Sequence, residues 1–361
     1  MAKKELRSGY TTGACAAAAA KGAALLLRDG EARSVEIILP AGFAAQFPLY
    51  GQSFEAGGAR CYVVKDAGDD PDVTHGIELH AEIQRTAGKG LKIVAGTGIG
   101  RVTKPGLAVP VGMPAINPVP RQMIEQAVGE VFPDGEGLQL ILSIPDGERR
   151  AAKTLNARLG IIGGLSLLGT TGVVRPISHK AWTDTLEVAI DVALAAEVKP
   201  VVCSTGRTSE LAAQNYFDLP EEAFVMMGDF IGYTLATCHR KGVVQLALSG
   251  QFAKLLKIAC GHPQTHVRHA QLDLKQLATW GREIGLDAAE CQRLELANTA
   301  RQVFEEFGVE SELVALVGRE ALSVCQEQVP GTELSILLVD YQGKVARIFS
   351  NHGGTVALRK S

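Results

Sequence analysis

The feature that most constrains this chain is the order of its second half, where three apolar runs are each followed by small residues. The runs span residues 201–203, 224–227 and 243–248, and a helical pattern follows each of them. A strand, a glycine-containing turn and a helix in succession are typical of β-α-β units, which build a parallel sheet. The carboxyl ends of parallel strands form the ligand crevice, so the three turns are expected to converge on one site. The turn residues are Ser204, Thr205, Gly206, Arg207, Gly228, Asp229, Ser249 and Gly250.

The first half of the chain mixes strand and helix signals in a less regular order. Thr11 or Thr12 is the natural cap of an alanine-rich helix that runs to about Arg28. Residues 77–84 alternate apolar and polar side chains, which is the period of a half-buried strand. This half is therefore predicted to be α+β.

An amphipathic helix over residues 180–197 separates the two halves. Its apolar residues recur at every fourth position and are expected to lie on one buried face. These residues are Trp182, Leu186, Ile190 and Leu194. We place the domain boundary after this helix, so that residues 1–197 form an α+β domain and residues 198–361 form an α/β domain, Rossmann-like with a mostly parallel sheet.

The composition argues against several classes of protein. With 36 basic and 39 acidic residues the net charge is −3, which provides no basic field for nucleic acid or for an anionic membrane surface. The seven cysteines include no C-x-x-C pair, so neither a disulfide framework nor a zinc ribbon is expected. No apolar stretch is long enough to span a membrane. We expect a cytoplasmic protein without nucleic-acid or membrane partners, and the sequence leaves a homo-oligomer open.

The turn from Ser204 to Arg207 carries hydroxyl groups at a predicted helix start, where backbone amides favour an anionic ligand. The chain has no GxxxxGK[ST] motif, and no GxGxxG motif follows this strand, so ATP and NAD binding lose their best support. Asp229 follows the next strand, where a carboxylate reaches the ribose of a nucleoside cofactor. It is equally suited to capping the helix that follows, and both interpretations stay open.

Two further segments carry polar groups that are suited to binding a carboxylate. The irregular loop over residues 104–121 contains Lys104, Asn117 and Arg121. The glycine-rich stretch over residues 165–176 contains several threonines and a single guanidinium, Arg175, which can bind a carboxylate through two hydrogen bonds.

Three clustered histidines, His262, His266 and His269, have a helical spacing that is compatible with metal ligands. Pro263 interrupts the helix and no carboxylate lies among them, so no protein-bound metal is predicted. The lysines of the preceding helix are expected to be solvated. They are Lys254 and Lys257.

Five blocks of sequence point to a known family. They are RSGYTTGACAAAAAK at 7–21, TKPGL at 103–107, AINPVPR at 115–121, LGTTGVVRP at 168–176 and MGDFIG at 227–232. Together, and in this order, they resemble the CbiD family, the cobalt-precorrin-5B C1-methyltransferases. The chain departs from that family's pattern at Gln251, Phe252 and Ala253, which stand where His-Ile-Gly is more usual, and of the clustered histidines only His266 fits.

The resemblance implies methyl transfer from S-adenosylmethionine to C1 of a cobalt-containing tetrapyrrole, giving cobalt-precorrin-6A and S-adenosylhomocysteine. Cobalt then arrives in the substrate rather than on the protein, and no general base is assigned. Our hypothesis places the cofactor in the second domain at the turn residues given above, with Asp229 on the ribose. The first domain, together with His266, would bind the acidic arms of the substrate. The substrate-binding residues would be Thr11, Thr12, Lys104, Asn117, Arg121, Thr171, Arg175 and His266.

Two other functions stay open at this point. A carrier or scaffold would bind the tetrapyrrole without converting it, and a nicotinamide-dependent oxidoreductase would use the same crevice for NAD. The absent dinucleotide motif argues against the second.

Overall fold

The computed structural model describes residues 6–55, 57–176 and 178–352 and contains both helices and several sheets. The chain divides into two compact units, Met1–His179 and Lys180–Ser361. The unit boundary therefore lies before the helix over residues 180–197, not after it as the sequence predicts. Leu186 and Ile190 of that helix are buried in the core of the second unit, which is why the helix belongs there.

The first unit contains three helices and thirteen short strands among the described residues. The helices are α1 (Thr12–Asp29), α2 (Pro118–Gly129) and α3 (Gly147–Ala151). The strands are β1 (Gly9–Tyr10), β2 (Ser34–Ile38), β3 (Ala44–Pro48), β4 (Tyr50–Glu55), β5 (Gly58–Val64), β6 (Glu78–Lys89), β7 (Leu91–Ala95), β8 (Gly98–Ile99), β9 (Arg101–Val102), β10 (Glu136–Ser143), β11 (Ile161–Ile162), β12 (Gly164–Leu165) and β13 (Val173–Val174).

The main sheet of the first unit has the order β4-β5-β6-β10-β7 and is antiparallel except for the β10–β7 pair. β6 alternates buried and outward residues over its first half, as predicted. Helix α1 packs against β5, β6 and α2. Its alanines are almost completely buried, because their small side chains let the helix approach the sheet closely. Larger side chains at these positions would overpack the core at a cost of about 1–3 kcal/mol each.

The ends of α1 follow from its sequence. Thr11 is the N-cap, and its Oγ1 accepts a hydrogen bond from the Ala14 amide at 3.2 Å. At the other end Gly30 adopts a left-handed conformation and its amide donates to the Leu26 carbonyl at 2.9 Å. Of the two caps that the sequence allows, Thr11 is the one used.

The second unit contains one five-stranded sheet and eight helices among the described residues. The strands are β14 (Val201–Ser204), β15 (Phe224–Met226), β16 (Gln245–Gln251), β17 (Glu333–Val339) and β18 (Val345–Ser350). The helices are α4 (His179–Ala195), α5 (Arg207–Tyr216), α6 (Ile231–Arg240), α7 (Phe252–Ala259), α8 (Leu274–Glu283), α9 (Ala288–Leu296), α10 (Ala300–Phe307) and α11 (Glu312–Gln328).

This sheet has the order β15-β14-β16-β17-β18, with four parallel strands and an antiparallel edge strand, β18. Consecutive residues of β14, β16 and β17 are buried, so both faces of the sheet are covered. The chain order of the strands reverses between β14 and β16, and a crevice is expected beside their carboxyl ends.

Candidate functional site

The carboxyl ends of three parallel strands meet at one edge of the sheet in the second unit. Ser204 at the end of β14 pairs with Ser249 of β16 and with Met226 of β15. The Gly228 amide donates to the Ser204 carbonyl at 3.2 Å, and the Thr205 amide donates to the Ser249 carbonyl at 2.9 Å. The strand ends that the sequence predicts at one edge of the sheet therefore lie next to one another.

Ser249 and Gly250 lie inside β16 and not in a turn, which corrects the sequence prediction. The strand continues to Gln251 because its parallel ladder with β17 extends that far. The buried Ser249 hydroxyl donates to the Ser209 carbonyl at 2.8 Å, and a Cβ at Gly250 would lie 2.9 Å from a methyl of Leu255. Both residues are therefore packed inside the unit, within the last part of β16.

The start of α5 is a helix N-terminus without a side-chain cap. Its N-cap, Gly206, has no side chain to accept from the first-turn amides, and no neighbouring atom lies within 4 Å of a Cβ built there. The Ser204 hydroxyl, two residues earlier, is fully buried and has no hydrogen-bond partner among the described residues. Arg207 is exposed in the first turn. Unsatisfied amides at the positive end of a helix dipole bind anions.

Asp229 does not cap the helix after it, so the capping interpretation is wrong. Helix α6 has Phe230 as its N-cap, and the Asp229 carboxylate instead pairs with the Lys254 ammonium. The Thr265 hydroxyl donates to the same oxygen, Oδ1, at 2.7 Å, and no described residue donates to Oδ2. Burial raises the pKa of Asp229, but the hydrogen bonds from Lys254 and Thr265 outweigh it and leave the pKa below its ordinary value. The carboxylate is therefore held ionised, with one oxygen unused.

The two lysines of α7 are not simply solvated, which corrects a second sequence prediction. The Lys254 ammonium is tied to Asp229, and Lys257 is buried with its Nζ donating to the Thr265 carbonyl at 2.8 Å. Burial lowers the pKa of Lys257, and the neighbouring Lys254 charge lowers it further. The Thr265 amide also donates to the Asp229 carbonyl at 3.0 Å. These contacts fix the segment after α7 against the crevice, and no local pattern in the sequence predicts them.

In the first unit, Thr11 and Thr12 are buried and their hydroxyls already bind backbone groups. Thr12 Oγ1 accepts from the Leu168 amide at 2.9 Å and donates to the Ser166 carbonyl at 3.2 Å. Thr11 caps α1, and its amide donates to the Gly172 carbonyl at 3.0 Å. Both threonines therefore position the segment over residues 166–172, and their predicted substrate contact stays a prediction.

Three predicted substrate residues have side chains that reach solvent in the first unit. Arg175 is exposed. Thr171 is also exposed, and its Oγ1 accepts from the Val173 amide at 3.3 Å. Arg121, in the first turn of α2, is partly exposed, with Nη1 at 3.8 Å from Glu125 Oε1.

The remaining three predicted substrate residues have different surroundings. Asn117 is the N-cap of α2, and its amide donates to the Leu167 carbonyl at 3.0 Å, which brings it to the same segment as Thr11 and Thr12. The side chain of Lys104 lies over Gly160, beside the pairing of β9 and β11. His266 is exposed in the second unit.

The clustered histidines do not form a ligand set. Among residues 6–55, 57–176 and 178–352 no group of three or more His, Cys, Asp or Glu side chains could hold a metal ion. The described part of the chain likewise has no helix of the length and apolarity that a membrane crossing requires.

Comparison with known proteins gives consistent matches. The family model CbiD matches residues 1–176, and the model for the CbiD C-terminal domain matches residues 264–347. The cobalt-precorrin-5B C(1)-methyltransferase of Geobacter sp. (strain M21) is 54% identical over 349 residues, which cover 95% of this chain and 98% of that protein. The protein of the same name from Citrifermentans bemidjiense is 53% identical over 351 residues, which cover 96% of this chain and 99% of that protein.

A solved structure is also similar in sequence. The crystal structure of the cobalamin biosynthesis protein CbiD from Archaeoglobus fulgidus has 30% identity, covers 78% of this chain and 85% of that one, and superposes with a TM-score of 0.39.

Proposed function

This chain belongs to the CbiD family, and on that premise we propose that its activity is the C1-methylation of cobalt-precorrin-5B in cobalamin biosynthesis. The observation that carries this function is the identity of more than half of all positions, over about 95% of the chain, with proteins of that name. The protein is therefore an enzyme, a C-methyltransferase, and the cobalt belongs to its tetrapyrrole substrate.

The crevice of the second unit is our proposed site for S-adenosylmethionine. The amides at the start of α5 and the buried Ser204 hydroxyl suit the carboxylate of the methionine end. Oδ2 of Asp229 suits two ribose hydroxyls. The strand order, with its reversal between β14 and β16, supports a Rossmann-like assignment for this unit.

When bound, S-adenosylmethionine supplies a methyl group on a sulfonium: C1 forms the new bond with an electron pair of the macrocycle, the S–C pair stays on sulfur, and the macrocycle releases one proton to solvent. The protein therefore needs to orient two partners and to exclude water, and no side chain has to act as a nucleophile. Asp229 fixes the ribose end, and Lys254 and Thr265 keep that carboxylate ionised and in place. These three residues are positioning groups for the transfer.

The acidic arms of the tetrapyrrole are proposed to bind the exposed cations of the first unit. Arg175 and Arg121 reach solvent, and Arg175 adjoins the segment that Thr12 holds in place. Guanidinium groups bind carboxylates through paired charge-assisted hydrogen bonds. Lys104, Asn117, Thr171 and His266 are proposed as further contacts.

Incubating the protein with S-adenosylmethionine and cobalt-precorrin-5B tests this function. We expect a product heavier by one methyl in place of hydrogen, about 14 Da, and stoichiometric S-adenosylhomocysteine. Arg175→Ala should raise the KM for the tetrapyrrole about tenfold without changing cofactor affinity. Arg33→Ala, at another exposed arginine of the first unit, is the control. Tetrapyrrole binding without product would support a carrier, and an unchanged KM would remove Arg175 from the substrate site.

Gly206→Ala should weaken binding of S-adenosylhomocysteine about tenfold while changing the free energy of unfolding by less than about 1 kcal/mol. The backbone of Gly206 is extended, as any residue allows, and the added methyl meets no protein atom, so only a ligand lying close to the backbone would be displaced. Isothermal calorimetry and thermal denaturation measure the two effects.

Gly129→Ala, in α2 of the first unit, is the control, because its methyl also meets open space and should change neither the affinity nor the stability appreciably. Unchanged affinity in Gly206→Ala would mean that the ligand does not approach the start of α5.

A further inference from the structure

Trp182 lies on the surface beside the crevice, although its helical pattern predicts a buried position. The residue is 46% exposed, whereas Leu186 and Ile190 of the same helix are buried. The indole is nevertheless fixed, because its Nε1 donates to the Met227 carbonyl at 3.3 Å, just after β15. It lies roughly parallel to the Phe230 ring, with 28° between the planes and 6.5 Å between the centroids. A rigid aromatic surface is therefore presented at the carboxyl edge of the sheet.

Gly228 allows the indole to lie directly against the end of the strand. A Cβ at this position would be 3.2 Å from Cζ2 of Trp182, and the φ angle of +60° itself favours glycine. The next residue is Asp229, whose Oδ2 receives no hydrogen bond from a described residue. The indole and the carboxylate are therefore placed by adjacent residues of one loop.

We infer that Trp182 is the surface on which the adenine ring of the cofactor stacks. The inference rests on the proposed cofactor site, since adenine is bonded directly to the ribose that Asp229 would hold. A purine presents a flat π face, and aromatic side chains stack on such faces. An indole already held by a hydrogen bond loses little conformational freedom when the purine binds.

Two variants of Trp182 distinguish a contribution of aromatic stacking to cofactor affinity from a contribution of apolar side-chain volume. Trp182→Leu keeps an apolar side chain but removes the π face, and we expect about tenfold weaker binding of S-adenosylhomocysteine by calorimetry. Trp182→Phe keeps a ring and should stay within about threefold of the wild-type affinity. Melting temperatures confirm that both variants fold.

Fluorescence gives an independent readout, because the chain has only two tryptophans. Trp280 lies in α8, so Trp280→Phe leaves Trp182 as the single indole emitter. Saturation with S-adenosylhomocysteine should then change the Trp182 emission with the dissociation constant measured by calorimetry. If S-adenosylhomocysteine binds without changing the Trp182 emission, and binds to Trp182→Leu as tightly as to the wild-type protein, the stacking inference is overturned while the cofactor site stands. Absence of any binding to the wild-type protein overturns the cofactor site and the inference together.

Discussion

Replacing Gly98 with alanine should lower the free energy of unfolding of the first unit by about 3 kcal/mol or more. Gly98 has a φ of +71°, which disfavours any residue with a Cβ. An added methyl would overlap the Ile144 carbonyl oxygen and lie 3.0 Å from Cα of Gly147. The backbone of Gly98 is also approached by its register partner in the pairing of β8 and β12, because a Cβ built on Gly164 would overlap the Gly98 carbonyl group. Because the obstructing atoms are backbone, no side chain can rotate away to relieve the contact.

Two other glycines of the first unit separate conformational strain from steric overlap. Gly90 has a φ of +85° but open space at its Cβ position, so Gly90→Ala should cost only about 1 kcal/mol. Gly129 has neither constraint, so Gly129→Ala should leave stability nearly unchanged. Chemical denaturation measures all three variants. If Gly98→Ala lowers the free energy of unfolding no more than Gly90→Ala does, the close packing of Gly98 against Gly147 and Gly164 is contradicted.

Replacing Asp229 with asparagine should weaken S-adenosylhomocysteine binding by about 10- to 100-fold, because a hydrogen bond to a charged acceptor is worth about 1.5–3 kcal/mol. The substitution keeps the shape of the side chain but removes the negative charge at the proposed ribose site and leaves Lys254 without its ionic partner. Calorimetry measures the affinity. An asparagine variant that binds as tightly as the wild-type protein would exclude the carboxylate from the cofactor site.

The same carboxylate predicts how binding depends on pH. Burial raises the pKa of Asp229, and the hydrogen bonds and charge of its partners lower it by more, so the folded-state pKa lies below the unfolded value of about 3.9. The stability that the ionised Asp229 carboxylate contributes through Lys254 and Thr265 is therefore fully present above the unfolded pKa, and it is lost as the pH falls through the folded-state pKa. The carboxylate that would bind the ribose stays ionised over the same pH range. Cofactor affinity should stay level from neutral pH down to about pH 4. Lys254→Met removes a group that lowers this pKa, so its affinity should begin to fall at a higher pH than in the wild type.

The parallel sheet and the meeting of its strand ends can be predicted because the signals are local. Each run, turn and helix of the second half is contiguous, and β-α-β connectivity then fixes which strand ends share an edge. The same reasoning places Thr11 at the start of α1, where a cap needs only the next three residues. Ser249 and Gly250 are misplaced because glycine suggests a turn, whereas the length of β16 is set by its partner β17.

The rest of the site depends on residues that are distant along the chain. Asp229 is fixed by Lys254 and Thr265, which lie 25 and 36 residues away, so no window of sequence connects a carboxylate with its partners. Local sequence signals therefore do not decide between the two roles of Asp229, and they predict solvated side chains for Lys254 and Lys257. The helical period predicts a buried Trp182, because the period alone does not show which turn of a helix extends beyond the core that the helix covers.

The bonds between Thr12 and Leu168 join positions 156 residues apart, and they limit how the first unit can fold during synthesis. The start of α1 is made early, but residue 168, which completes its surroundings, is synthesised only when nearly half of the chain has been translated. Contacts of such long range slow folding, because the intervening chain must be ordered before they form. The nascent amino-terminal helix should therefore depend on protection from aggregation until β5, β6 and α2, which cover its alanine face, have emerged, and the start of the helix is completed only later by residue 168.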